Sequence, residues 1–172
     1  MDRLEYEGKT YLRSGRLWTD MQHMAVNETL QQALNYAYLE TIDLTRLTLE
    51  ELIAQGDKCK ESGSNGLAIR FYGAAAEEAD ERTLSSILPR FTSCYRKQGL
   101  PQKAIDLLHF AKEKFGSSII SSVLLTSAAA AYCDLKEYEN ARICCNRAYA
   151  MLGGHASGEL SAVFGRIRKE SE

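Results

Sequence analysis

An alanine that returns at a nearly fixed interval constrains this chain more than any other feature of it. Ala68, Ala104 and Ala141 are separated by 36 and 37 residues, and each is followed seven positions later by another alanine, Ala75, Ala111 and Ala148. Four positions after each first alanine stands a larger side chain: Tyr72, Leu108 and Cys145. Nine positions before it are Cys59, Tyr95 and Tyr132. Twelve before are Gly56, Thr92 and Ala129, and sixteen before is always leucine, at Leu52, Leu88 and Leu125. Offsets of four and seven fall on one stripe of a helix. Small residues at matched depth let two antiparallel helices approach, and larger neighbours fill the gaps. A pair built this way cannot bury its face alone, so it stacks on the next. The periodicity predicts three helix pairs over 49–82, 85–118 and 122–155.

Local signals place the individual helices. Thr48 with Glu51 three residues on is a capping box, and Leu47 with Leu52 can staple the same helix start. That helix is expected to reach Ser62 and stop at the Gly63–Gly66 loop. Others are predicted near 66–80, 84–98, 101–115, 119–135 and 137–152. Pro101 suits a first helical turn, whereas Pro89 must either fall in a first turn or kink its helix. Residues 157–169 align Leu160, Val163, Phe164 and Ile167 on one face, as a terminal capping helix within 156–172 would. Ahead of the repeats, Asn27 caps a leading helix running to about Leu39, inside a leading segment of 21–48. The first 20 residues differ. Leu4-Glu5-Tyr6, Lys9–Leu12 and Arg16–Thr19 are short segments rich in aromatic and β-favouring residues, divided by Glu7-Gly8 and Ser14-Gly15. They predict a β-meander of two or three strands whose apolar content is Tyr6, Tyr11 and Trp18. So small a sheet must lean on helices or on a partner.

The repeat columns carry a family resemblance. On Leu52, Gly56, Ala68, Tyr72 and Ala75, on Leu88, Tyr95, Gly99, Ala104, Leu108 and Ala111, and on Leu125, Ala129, Tyr132, Ala141 and Ala148, residues 49–155 resemble the tetratricopeptide repeat family. Its unit is about 34 residues. Ala131–Ala141 is the strongest single match. The units here are two and three residues longer, with the surplus at Thr83-Leu84 and Ile119–Ser121. The proline that usually ends a unit is missing, with Asp80, Gly116 and Gly153 near those places. The resemblance implies an all-α fold, antiparallel helix pairs stacked as a short right-handed solenoid. It also implies a non-enzymatic protein–protein interaction scaffold whose first helices line a concave groove. In this chain the groove residues would be Ile53, Asp57, Arg90, Ser93, Arg96, Lys97, Thr126 and Ala130. Arg90, Ser93 and Lys97 recur at helical spacing as a basic strip beside Asp57 and Glu61, suited to a peptide with an acidic anchor. Family members that grip a C-terminal carboxylate use Lys, Asn and Arg at places occupied here by Ile53, Asp57, Arg90, Val123 and Ser127. Only Arg90 could serve, and Asp57 would repel. Type III translocator chaperones are similar in size and helix order, but the meander has no place in their pattern.

Other function classes find little support. Net charge is -2 and the isoelectric point is near 6.0. A nucleic-acid accessory role would therefore rest on Arg90, Arg96, Lys97 and the stretch Arg166-Ile167-Arg168-Lys169 alone. Met1-Asp2-Arg3-Leu4-Glu5 lacks the apolar core of an export signal, and Ile119–Cys133 is too short and too rich in Ser and Thr to span a bilayer. A cytoplasmic location is expected. The five cysteines are odd in number and form no Cys-x-x-Cys, so reduced thiols packing as small hydrophobes are expected. His23, His109 and His155 have no zinc spacing. Glu50-Glu51 and Glu77-Glu78 suit caps and solvated faces, and Gly63–Gly66 lacks the lysine of a phosphate cradle. These readings predict no enzyme, cofactor or small-molecule substrate, and a protein or peptide partner. Tyr6, Tyr11 and Trp18 form a second candidate surface, able to cover the array end or to build a homodimer.

Overall fold

The computed structural model describes residues 2–15 and 17–170. The chain divides into two compact units, Met1–Arg46 and Leu47–Glu172.

The first unit is a three-stranded antiparallel sheet under one helix. Strands β1 (Asp2–Tyr6), β2 (Lys9–Ser14) and β3 (Leu17–Thr19) lie in the order β1-β2-β3. Tyr6 pairs with Lys9 across Glu7-Gly8, and both turn residues have positive φ, as a two-residue hairpin turn matched to strand twist demands. Ser14 pairs with Leu17, so it belongs to the strand rather than to the turn expected there. Arg16, expected to begin the third strand, lies outside the described residues. The register places Leu4 opposite Tyr11 and Arg13 opposite Trp18. The two-residue period therefore gathers Leu4, Tyr6, Tyr11, Arg13 and Trp18 on one face. Helix α1 (Glu28–Thr41) shares the core of that face through Leu34, with Leu30, Ala37 and Tyr38 beside it. The Asn27 side chain caps it, accepting from Leu30 N at 2.9 Å.

The second unit holds seven helices among the described residues: α2 (Leu49–Glu61), α3 (Asn65–Glu78), α4 (Glu81–Lys97), α5 (Pro101–Phe115), α6 (Ser122–Asp134), α7 (Tyr138–Met151) and α8 (Gly158–Glu170). α2 packs on α3, α4 on α5 and α6 on α7. Each pair then meets the next, since α4 touches α2 and α3, α6 touches α4 and α5, and α8 touches α6 and α7. Thr48 and Glu51 form the expected reciprocal capping box. Two helix starts differ from expectation because of caps. Asp80 accepts from Thr83 N at 2.8 Å, so α4 begins at Glu81 rather than near 84. A 3-10 turn occupies Gly116–Ile119 and Ser121 accepts from Leu124 N, so α6 begins at Ser122 rather than 119. Pro101 opens α5, whereas Pro89 sits in mid-helix, where it removes one backbone donor.

The periodic columns form the core. Ala68, Ala104, Ala141, Ala75, Ala111 and Ala148 have no solvent exposure, and Leu52, Leu88 and Leu125 are buried with them. Tyr95 and Tyr132 are half-buried. At Gly56 an added Cβ would lie 2.7 Å from the Tyr72 ring, so the α2–α3 crossing requires glycine. Thr92 and Ala129 fill the equivalent place in the other pairs and are equally buried. Across the unit, α8 contributes Leu160, Val163 and Ile167 to a core shared with Ala129, Ala130 and Ala141. Among the described residues no helix is long and apolar enough to cross a membrane.

Candidate protein-interaction surfaces

The first helices of the pairs carry most of the residues expected to meet a partner, and the structure ties many of them to one another. Arg90 of α4 reaches Asp57 of α2 through Nη1, at 2.7 Å to Oδ1 and 2.6 Å to Oδ2. Asp57 also accepts the Tyr72 hydroxyl hydrogen bond from α3. Burial, then that bond to a carboxylate, push the Tyr72 phenol well above the ordinary tyrosine range. One pair further along, Arg96 Nε of α4 lies 2.5 Å from Asp134 Oδ2 of α6, and Arg166 Nη2 of α8 lies 2.7 Å from Asp134 Oδ1. Burial opposes charge on Asp134, but the hydrogen bonds from the two guanidinium groups outweigh it and hold the carboxyl below its usual range. The carboxylates thus link α2 to α4, and α4 to α6 and α8.

This geometry changes the expected groove. Arg90, expected to form an open basic strip with Ser93 and Lys97, pairs instead with Asp57, and the groove residue Arg96 pairs with Asp134. Thr126 and Ala130 are buried at 6% exposure each and cannot line a surface. Ala130 is covered because it joins the core that α8 completes, and the Thr126 hydroxyl donates to Ser122 O at 2.8 Å within its own helix. Ile53 and Ser93 are half-buried, and Lys97 is exposed. Val123, on the same face of α6, is 50% exposed.

The aromatic surface expected in the first unit is also corrected. Trp18 is fully buried, Tyr11 is buried and Tyr6 is half-buried against them. Strand alternation points all three at α1, which supplies polar partners for the tryptophan. Gln31 accepts from Trp18 N at 2.9 Å and donates to Trp18 O at 2.8 Å, while the indole Nε1 donates to Asn35 Oδ1 at 2.9 Å. The Arg13 guanidinium lies 4.6 Å from the Tyr38 ring centre beside this core. The large apolar side chains that the unit exposes include Leu17, Met21 and Met24, at 56–66%, and Tyr36 at 43%. The methionines sit in a loop that Asp20 organises, its Oδ1 accepting from Gln22 N and Met24 N at 2.9 Å each. A recess of about 540 Å³ lies beside it, lined by Lys9, Tyr11, Asp20 and Met21 among others. The sequence carries one signal for this loop, since an aspartate such as Asp20 can accept from the backbone two residues on in an Asx turn.

The chemistry-bearing side chains are placed as follows. All five cysteines are free; Cys59, Cys94, Cys133 and Cys145 are buried and Cys144 is half-buried. Burial pushes their thiols up, Cys145 to about 11, which disfavours the nucleophilic thiolate. Among the described residues no group of three or more His, Cys, Asp and Glu could hold a metal ion. One stabilising contact went unread in the sequence: Lys114 Nζ of α5 donates to Ala76 O and Glu77 O at 2.9 and 2.8 Å, occupying carbonyls at the end of α3.

No family model matches the chain, and no curated protein matches it.

Proposed function

We propose that residues 49–155 are a short tetratricopeptide-like right-handed solenoid of three helix pairs with α8 as its cap, and that it serves as a non-enzymatic scaffold for a protein segment. The observation that carries this reading is the complete burial of the alanine columns at equivalent depth in all three pairs. Successive pairs so nested offer side chains in register along the row of first helices, which is the property a repeat scaffold uses to bind an extended partner. The face favoured for contact is narrower than the expected groove: Ile53, Ser93, Lys97 and Val123, with the paired Arg90 and Arg96 as its fixed frame.

The pairing of Arg90, Arg96 and Arg166 with carboxylates weighs against a nucleic-acid accessory role, since phosphates would have to displace them. The observed three-stranded sheet weighs against the secretion-chaperone pattern. Affinity capture with the full chain and with Lys97→Glu/Val123→Asp, both at exposed positions, tests the proposal. Proteins enriched by the parent are expected to fall away in the variant while its melting temperature stays the same. Equal recovery by both overturns the assignment of this face, and no protein above the bare-resin level overturns the scaffold reading.

A further inference from the structure

A recess of about 130 Å³ opens between α5, α6 and α7, away from the α2 and α4 residues of the proposed face. Its walls are apolar: Leu108 of α5, Leu124 and Ala128 of α6, and Cys144 of α7 are among them. At its rim stand His109 and Lys112 of α5 and Arg147 of α7, all exposed. Apart from the half-buried Tyr132 and Cys144, every ionisable group in the lining is basic, although the chain as a whole carries -2. Neither Lys112 nor Arg147 has a carboxylate partner among the described residues, in contrast to Arg90, Arg96 and Arg166.

Size and charge together choose the occupant. Pockets for cofactors and drug-sized molecules run to about 300–1,000 Å³. A dry apolar cavity of about 150 Å³ accepts a single benzene ring. The recess therefore matches one aliphatic or phenyl side chain, with cations placed to meet acidic neighbours of that side chain. We infer that this cleft is a docking site for an acidic peptide segment, which seats one Leu, Ile, Met or Phe side chain against Leu108, Leu124 and Ala128 and sets its carboxylates on Lys112 and Arg147. It uses side chains other than those of the first-helix face, so either assignment can fail without the other.

Selection of short random peptides against the full chain, followed by fluorescence anisotropy on the enriched sequences, tests the inference. Enriched peptides are expected to place an apolar residue between Asp or Glu residues. Lys112→Glu/Arg147→Glu should weaken their binding by about tenfold or more, a loss of roughly 1.4 kcal/mol. Ala128→Phe, which fills the recess from its floor, should do the same, and Lys97→Glu/Val123→Asp should leave the affinity unchanged. Bound peptide should also slow alkylation of Cys144, the cysteine that is not buried. The charge-reversed variant carries both changes on exposed side chains, so an unaltered melting temperature separates lost binding from lost fold. Failure to enrich any peptide, enrichment of basic or uncharged sequences, or affinity unmoved by both cleft variants overturns the inference. So does a dimer of the parent chain that the charge reversal converts to monomer, because the occupant would then be a second copy.

Discussion

The two units reach a buried core by opposite means. In Met1–Arg46 one side chain organises the interior: Trp18 is wholly enclosed, its indole and backbone make three hydrogen bonds to Gln31 and Asn35, and Tyr38 packs edge-on against its ring at 5.6 Å. In Leu47–Glu172 the same enclosure is shared among six alanines, three leucines and the residues they admit, repeated from pair to pair. A small sheet has few positions to bury, so it concentrates area and polar satisfaction on one large residue. A stacked array distributes the requirement, and each site matters less.

Substitutions can break or sharpen that contrast. Trp18→Ala removes the largest buried side chain of the first unit and should cost about 3–5 kcal/mol. Limited proteolysis should then cut within residues 1–46 while a fragment beginning near Leu47 persists. Loss of that fragment would show that the second unit does not stand as a separate core. Gly56→Ala comes next. An ordinary helical Gly→Ala gains up to ~1 kcal/mol, but here the new methyl meets the buried Tyr72 ring, which Asp57 fixes at its hydroxyl. A net loss of about 1–3 kcal/mol is expected in chemical denaturation, and a gain would mean the α2–α3 crossing is looser than drawn. Asp134→Asn should cost roughly 1–2 kcal/mol by weakening bonds to two arginines. Because the folded pKa of Asp134 is depressed, its contribution is fully present above the ordinary aspartate range near 3.9 and is lost as pH falls through the lower folded value. Acid titration of the parent should show this loss, and the Asn variant should lack that part of it. Smallest is Thr48→Ala, which removes half of the α2 capping box and should lower stability by about 1 kcal/mol. The fall should appear as faster amide exchange confined to the first turn of α2.

The sequence made repeated and local constraints legible. The alanine columns could be read because three pairs sample one packing requirement independently. Asn27 and Thr48 could be read because a cap depends on residues within three positions. Helix starts at Glu81 and Ser122 differ from those expected because Asp80, placed near the end of a unit, and Ser121, placed among the surplus residues, act as caps. The candidate face was read less well, for a different reason. Asp57–Arg90, Arg96–Asp134 and Asp134–Arg166 join residues 33, 38 and 32 positions apart. Such pairs depend on how one helix is rotated against another, and periodicity leaves that rotation open. The strip of Arg90, Ser93 and Lys97 and the Asp57 beside it were visible, but the ion pairs of Arg90 with Asp57 and of Arg96 with Asp134 were not. Ala130 went astray because its side of α6 meets the core that α8 completes, and Thr126 is buried as well. In the first unit the aromatic residues were found, and the choice between helices and a partner stayed open, since their spacing fixes a shared face without saying that α1 covers it.

Helix α8 has one further effect. Its Leu160, Val163 and Ile167 are turned inward, while Glu159, Ser161, Arg166 and Lys169 remain exposed. Without α8 the apolar side chains of α6 and α7 that share its core would be open to solvent, an exposed patch of the kind that promotes association. On its outer side α8 puts charged and polar groups in place of the apolar surface it covers.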